Sequence, residues 1–161
     1  MEKPSKVKNE YWVYAFYKGV YPRPTRNGGK WLIFVYNEDV DRVWERIVSA
    51  TQRGALGDDS KCATAKPNPE ATNPKVKVIC IYTYDSTDRE DVGRIAWKIY
   101  DILKSLSIEF TYLNYKENRA TRQGKYKGKG HKKISKYTLK KEDFEGKGKN
   151  KFIKFFQEEF G

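Results

Sequence analysis

Short runs of apolar and aromatic residues recur along the chain, and turn-forming residues bound each run. The most apolar run, Val76 to Tyr82, is nearly continuous, which favours a central strand with both faces covered. Gly28-Gly29 precede a second such run that begins with Lys30-Trp31. The pattern predicts strands at 10–17, 30–36, 76–84 and 108–115, a short strand at 60–64 and an edge strand at 134–139.

Three other stretches repeat their apolar residues every three or four positions, which is typical of amphipathic helices. The first follows Asn37 and ends near Gly54, and the second starts at a capping box of Thr87 and Glu90 and runs to about residue 107. A shorter helix is predicted at 150–160. These elements predict an α+β fold, with one curved, mainly antiparallel sheet and two long helices packed on one face.

Length and composition limit the classes of protein that are expected. With 161 residues, the chain is expected to form a single domain over residues 10–161, after a disordered N-terminus at 1–9. No apolar run approaches the ~20 residues of a membrane-spanning helix, and the first ten residues are charged, so we expect a cytoplasmic protein without a membrane partner. Two cysteines and one histidine, His131, predict neither a disulfide framework nor a metal site, and no cofactor motif occurs.

The positive charge is concentrated in one part of the chain. The formal net charge is +12, and residues 116–154 contain fifteen basic and only four acidic residues. Within that stretch, 116–136 is rich in lysine and glycine and has almost nothing apolar to bury. Such asymmetry favours a polyanionic partner. Lysine-rich surfaces also occur for solubility, or in proteins that function at high temperature. The residues predicted to contact a nucleic-acid backbone are Arg122, Lys125, Lys127, Lys129, Lys132 and Lys133.

Lys30 and Lys61 each begin an apolar run. Burying an ammonium group is costly unless an anion meets it, so these positions predict a basic, aromatic-rimmed cleft for a phosphorylated ligand. Trp12 and Trp31 lie on the neighbouring strands and are candidates to stack on a base. The alternatives are core packing for both tryptophans and a solvated strand end for the lysines.

Three segments resemble a known family: GKWLIFV at 29–35, CIYTYDSTDREDV at 80–92 and FTYLNYKENR at 110–119. Together they are similar to the basophilic leukaemia-expressed protein family. The resemblance implies the fold of the cap-binding translation initiation factor, a curved antiparallel sheet backed by helices. Prokaryotic members of the family are labelled as phosphothreonine lyase domain proteins, which implies a second possible activity.

The lyase resemblance transfers only at single positions. It implies that Lys30 binds phosphate, that Lys61 abstracts the α-proton, and that Lys116, with Arg119 nearby, stands where the lyases place a phosphate-binding arginine. The general-acid histidine of those enzymes is replaced by Leu32. Loss of a general acid typically costs about 10²–10⁴ in rate.

Three functions therefore remain open. The first is binding of RNA or a nucleotide through phosphate contacts of Lys30, Lys61, Lys116 and Arg119. The second is a lyase-like enzyme that removes phosphate from a phosphoprotein by β-elimination, with Lys61 as the base. The third is an adaptor for an acidic protein. We favour binding, because no complete acid/base pair is visible, and the sequence leaves the ligand and the oligomeric state open.

Overall fold

A six-stranded antiparallel sheet is the centre of the protein, and its strand order is β1-β3-β4-β2-β5-β6. The computed structural model describes residues 1–69, 71, 73–119 and 135–160. The strands are β1 (Trp12–Phe16), β2 (Gly29–Tyr36), β3 (Asp59–Ala63), β4 (Val76–Thr83), β5 (Tyr112–Glu117) and β6 (Tyr137–Lys140). The helices are α1 (Val40–Gln52), α2 (Arg89–Ser105), α3 (Lys141–Phe144) and α4 (Lys149–Phe160).

Alternation along each strand gives the sheet two unlike faces. On the face that we call the helix face, Trp31 is fully buried and its Nε1 donates to the Val92 carbonyl of α2 at 3.0 Å. Ser60 of β3 meets Thr51 of α1 on the same side, with 2.9 Å between the two hydroxyl oxygens. The α+β prediction is confirmed, and the other face of the sheet, which we call the open face, carries no helix among the described residues.

Helix α4 packs on the helix face together with the two long helices. Its Phe156 ring lies 6.2 Å from the Trp31 ring, and Phe152 stacks on Phe144 of α3 at 4.4 Å. All four of these side chains are fully buried, so α4 packs against the middle of β2 on the helix face. No helix in the described part of the chain has the length and hydropathy to span a membrane.

Two local predictions need correction. Strand β5 begins at Tyr112 rather than at residue 108, because α2 ends at Ser105 and the chain reverses through Ser107, whose φ is 56°. The N-cap of α2 is Asp88 rather than the predicted Thr87. The Asp88 carboxylate accepts a hydrogen bond from the Asp91 amide at 3.1 Å, whereas the Thr87 hydroxyl donates one to Asp85.

The N-terminus, predicted as disordered over residues 1–9, packs on the domain instead. Residues Pro4–Lys6 form a 3₁₀ turn, and the Ser5 amide donates to the Asp41 carboxylate of α1 at 3.0 Å. Pro4 and Val7 are buried. The prediction failed because charged residues surround these two apolar ones and hide a short anchoring motif.

Among the described glycines, Gly57 leaves the least room between its Cα and a neighbouring backbone, and it gives a test of the fold. A Cβ at this position would lie 2.0 Å from the Tyr82 carbonyl oxygen of β4. We expect Gly57→Ala to lower the free energy of unfolding by about 1–3 kcal/mol, because the overlap is with backbone that cannot rotate away. Urea denaturation measures the change. Gly148→Ala is the control, because nothing lies within 4 Å of its added Cβ; equal losses in the two variants would contradict this packing.

Candidate functional site

A cavity of about 960 Å³ lies between the open face and the connection from β3 to β4. Its floor comes from alternate residues of β2 and β4, including Leu32, Phe34 and Cys80. The roof comes from the described residues of 64–74, and Trp12 closes one side. Sequence reasoning predicted this connection as an exposed loop, and its part in enclosing a cavity was not foreseen.

The register of the strands brings three lysines from separate strands to this face. Lys30 of β2 is directly opposite Lys116 of β5. Lys61 of β3 is directly opposite Cys80 of β4, and Leu32 of β2 flanks Cys80 on its other side. Lys30 and Lys116 line the cavity, and Lys61 lies at its border beside Trp12.

The register places the three lysines around Cys80 on the open face, and the electrostatics of its thiol agree with that placement. Burial raises the pKa of the Cys80 thiol, and the charges of Lys61, Lys30 and Lys116 each oppose that rise. Burial also holds the pKa of Lys116 below its usual value. Like charges directly opposite each other on a sheet repel, so this arrangement favours the arrival of an anion. Sequence reasoning placed Cys80 on a strand but missed its position among the lysines.

The lysines have different local partners. The Lys30 ammonium donates to the Asn118 amide oxygen at 3.2 Å, a contact that sequence reasoning missed. The Lys61 ammonium lies 3.9 Å from the centroid of the Trp12 ring. None of the ion pairs among the described residues includes Lys61 or Lys116. Asn118 and Trp12, which contact Lys30 and Lys61, are both uncharged.

One acidic side chain lies close to Lys61. Asp59 is two residues away on β3 and so shares the open face. Burial raises the pKa of the Asp59 carboxyl, the charge of Asp58 adds to the rise, and Lys61 opposes it. Asp59 is not among the described residues that line the cavity, and its charge partly offsets that of Lys61.

The cavity is cationic at one end and largely apolar at the other. Lys30 and Lys116 mark the first end. Phe34, Val76 and Pro74 line the second, with Lys77 next to Val76, and Lys66 lines the cavity from the β3–β4 connection. Lys30 and Phe34 are four positions apart on β2, which corresponds to about 13 Å along a strand. A ligand that fits both ends carries an anionic group on an apolar or aromatic body of that length.

The prediction that Trp31 stacks on a ligand is wrong. Its side chain is fully buried on the helix face, where its ring meets Tyr115 edge-on at 5.2 Å. Adjacent residues of a strand point to opposite faces, so Lys30 and Trp31 cannot line the same cleft. Trp12, by contrast, lines the cavity, and its role as a stacking residue stays a prediction.

Of the other predicted contacts, the structure describes only Arg119. Arg119 pairs with Glu117 at 3.6 Å and is not among the described residues that line the cavity, so its phosphate-binding role stays a prediction. His131 lies outside the described residues. So do the residues predicted to contact a nucleic-acid backbone, which are Arg122, Lys125, Lys127, Lys129, Lys132 and Lys133.

Acid/base chemistry finds little support in the cavity. Its described lining contains no histidine, aspartate or glutamate, and Leu32 occupies the floor at the position of the lyase acid. Among the described residues there is also no group of three metal-ligating side chains. The arrangement is suited to holding an anion, and Lys61 as a catalytic base stays a prediction.

Comparison with solved structures defines the class of fold as that of the cap-binding initiation factor eIF4E. Schistosome eIF4E complexed with m7GpppA and 4E-BP matches with a TM-score of 0.61 at 16% identity, covering 86% of this chain and 75% of that one. Ascaris suum eIF4E-3 with m7G cap matches with a TM-score of 0.52 at 17% identity, covering 80% and 68%. At these identities the likeness shows the fold alone.

The family is shown by sequence. The model of the basophilic leukemia-expressed protein Bles03 family matches residues 25–122, which is more than half of the chain, and the chain belongs to this family. A search of curated proteins finds no match. The predicted resemblance to this family and to the initiation factor fold is confirmed.

Proposed function

We propose that the cavity on the open face binds a phosphorylated ligand, namely a nucleotide or a nucleotide of an RNA. The observation that carries the proposal is the strand register, which places Lys30, Lys61 and Lys116 around Cys80 on the open face. Phosphate would neutralise this cluster, and each charge-assisted hydrogen bond to it would contribute about 1.5–3 kcal/mol. The base would take the apolar end beside Phe34 or stack on Trp12.

We expect Lys61 to move toward a bound phosphate, because its contact with the Trp12 ring is weaker than a hydrogen bond to phosphate. Its contact with the Trp12 ring contributes about 0.5–1 kcal/mol, which is less than a charge-assisted hydrogen bond to phosphate. Phosphate would therefore draw the ammonium away from the ring and leave that face of Trp12 for a base. The proteins of the same fold that are complexed with m7GpppA and m7G cap make guanine nucleotides the first ligands to try.

Calorimetric titration of GTP, m7GTP and a single-stranded RNA hexamer tests the proposal. We expect Lys61→Gln to weaken nucleotide binding about tenfold, the loss of one charge-assisted contact. The RNA affinity should also fall with salt, with a slope in log–log form of about −0.7 per phosphate neutralised.

Lys154→Gln is the matched control, because it removes the same charge from an exposed position of α4 on the helix face. Its affinity should equal that of the unchanged protein. Absence of binding for all three ligands, or equal losses in the two variants, would refute the proposal.

A further inference from the structure

An aromatic row runs along the edge strand β1 beyond the cavity. Trp12, Tyr14 and Phe16 alternate on the open face, but only Trp12 lines the cavity. Tyr14 and Phe16 are 55% and 59% exposed. Their rings are nearly parallel, with 14° between the planes and 6.1 Å between the centroids.

Core packing does not account for these two rings. Val13 and Ala15, which alternate with them, are buried and already attach β1 to the core. Among the described residues, the large hydrophobic side chains that strands expose all lie on the open face, and helices expose none. Clustered exposure of this kind marks a contact surface.

A cation lies between the cavity and the exposed rings. Tyr14 is directly opposite Lys61 in the pairing of β1 with β3, and the Lys61 ammonium covers the ring of Trp12. Aromatic rings beside a positive charge provide the two groups that single strands require, a surface for bases and a partner for phosphate. Asp59 is directly opposite Phe16, so the phosphate contact belongs to the Lys61 end of the row. The chain's net charge of +12 favours the same class of partner.

We propose that Tyr14 and Phe16 form a second binding site, for the bases of a single-stranded nucleic acid whose end occupies the cavity. The strand follows β1, its bases stack on Trp12, Tyr14 and Phe16, and Lys61 meets the phosphate between the first two. Alternate residues of a strand are about 7 Å apart, so the bases are unstacked from one another and spread over the sheet. This inference rests on the proposed function, because the cavity fixes the end of the strand.

The length dependence of affinity tests the second site. Fluorescence anisotropy with labelled RNA and DNA of one, two, three and six nucleotides gives the affinity at each length. We expect each of the two additional stacked bases to strengthen binding about tenfold, and further nucleotides to add much less. In Tyr14→Ala/Phe16→Ala the gain with length should disappear, whereas affinity for the mononucleotide stays unchanged. The RNA and DNA arms differ only if the 2′-hydroxyl is also contacted.

Tyr112→Ala is the matched control, because Tyr112 is 47% exposed on the same face but lies on β5, across the sheet from β1. Circular dichroism checks that each variant folds. A length dependence that survives in the double variant overturns the second site. So does a dimer of the unchanged protein that the double variant abolishes in sedimentation, since the rings would then serve self-association. Failure of the proposed function is a separate result, in which the unchanged protein does not bind the mononucleotide.

Discussion

Replacement of Trp31 with alanine is expected to lower the free energy of unfolding by about 3–5 kcal/mol, the range for loss of a large aromatic side chain from a core. The indole is fully buried, contacts the rings of Tyr115 and Phe156, and donates to the Val92 carbonyl. Its removal would leave a void where β2, α2 and α4 meet. Urea denaturation followed by circular dichroism measures the loss.

Two further variants separate a core role from a binding role. Trp31→Phe keeps a ring in place and is expected to cost about 1–2 kcal/mol with unchanged nucleotide affinity. Trp12→Ala is expected to cost about 1 kcal/mol or less and to weaken nucleotide binding, because Trp12 is half-buried beside the cavity. A stable Trp31→Phe variant that has lost its affinity would contradict the assignment of Trp31 to the core.

Strongly periodic segments could be predicted from the sequence because each is specified by its own residues. Strand β4 and helix α2 begin and end within about two residues of their predicted bounds. The start of β5 could not be found in this way. Ile108 and Phe110 continue the alternation of the strand, but the chain needs residues 106–111 to reverse direction after α2.

One error about the site was avoidable from the sequence alone. Lys30 and Trp31 were both assigned to one cleft, although neighbours on a strand face opposite sides. Parity along β2 groups Trp31 with Ile33 and Val35, all buried, and groups Lys30 with Leu32 and Phe34. The parity of the whole strand would have placed Trp31 in the core.

The rest of the site depends on pairing that a single sequence does not encode locally. Lys61 and Lys116 flank the β4–β2 pair that carries Cys80 and Lys30, because β3 and β5 lie on opposite sides of that pair, an order unlike their order in the chain. The Pro- and Asn-containing connection from β3 to β4 predicts an exposed loop. In the folded protein this connection lies over the open face, and the space between them is the cavity.

Removal of two lysines, in Lys30→Gln/Lys116→Gln, is expected to weaken nucleotide binding about 100-fold or more, because two charge-assisted contacts are lost. The matched control is Lys151→Gln/Lys154→Gln, which makes the same change in net charge at exposed positions of α4. Calorimetry with GTP gives both affinities. Equal losses in the two double variants would show that net charge, rather than the cavity, attracts the nucleotide.

The single variant Lys116→Gln separates binding from folding by the sign of its effect. Lys116 is directly opposite Lys30, and burial already lowers its pKa, so its charge opposes the folded state when no anion is bound. We expect the ligand-free variant to gain about 0.2–1 kcal/mol of stability while its affinity for GTP falls about tenfold or more. A side chain kept for the fold would give the opposite result, lower stability with unchanged affinity. Stability that rises as affinity falls is the result expected of a charge held in place for its ligand.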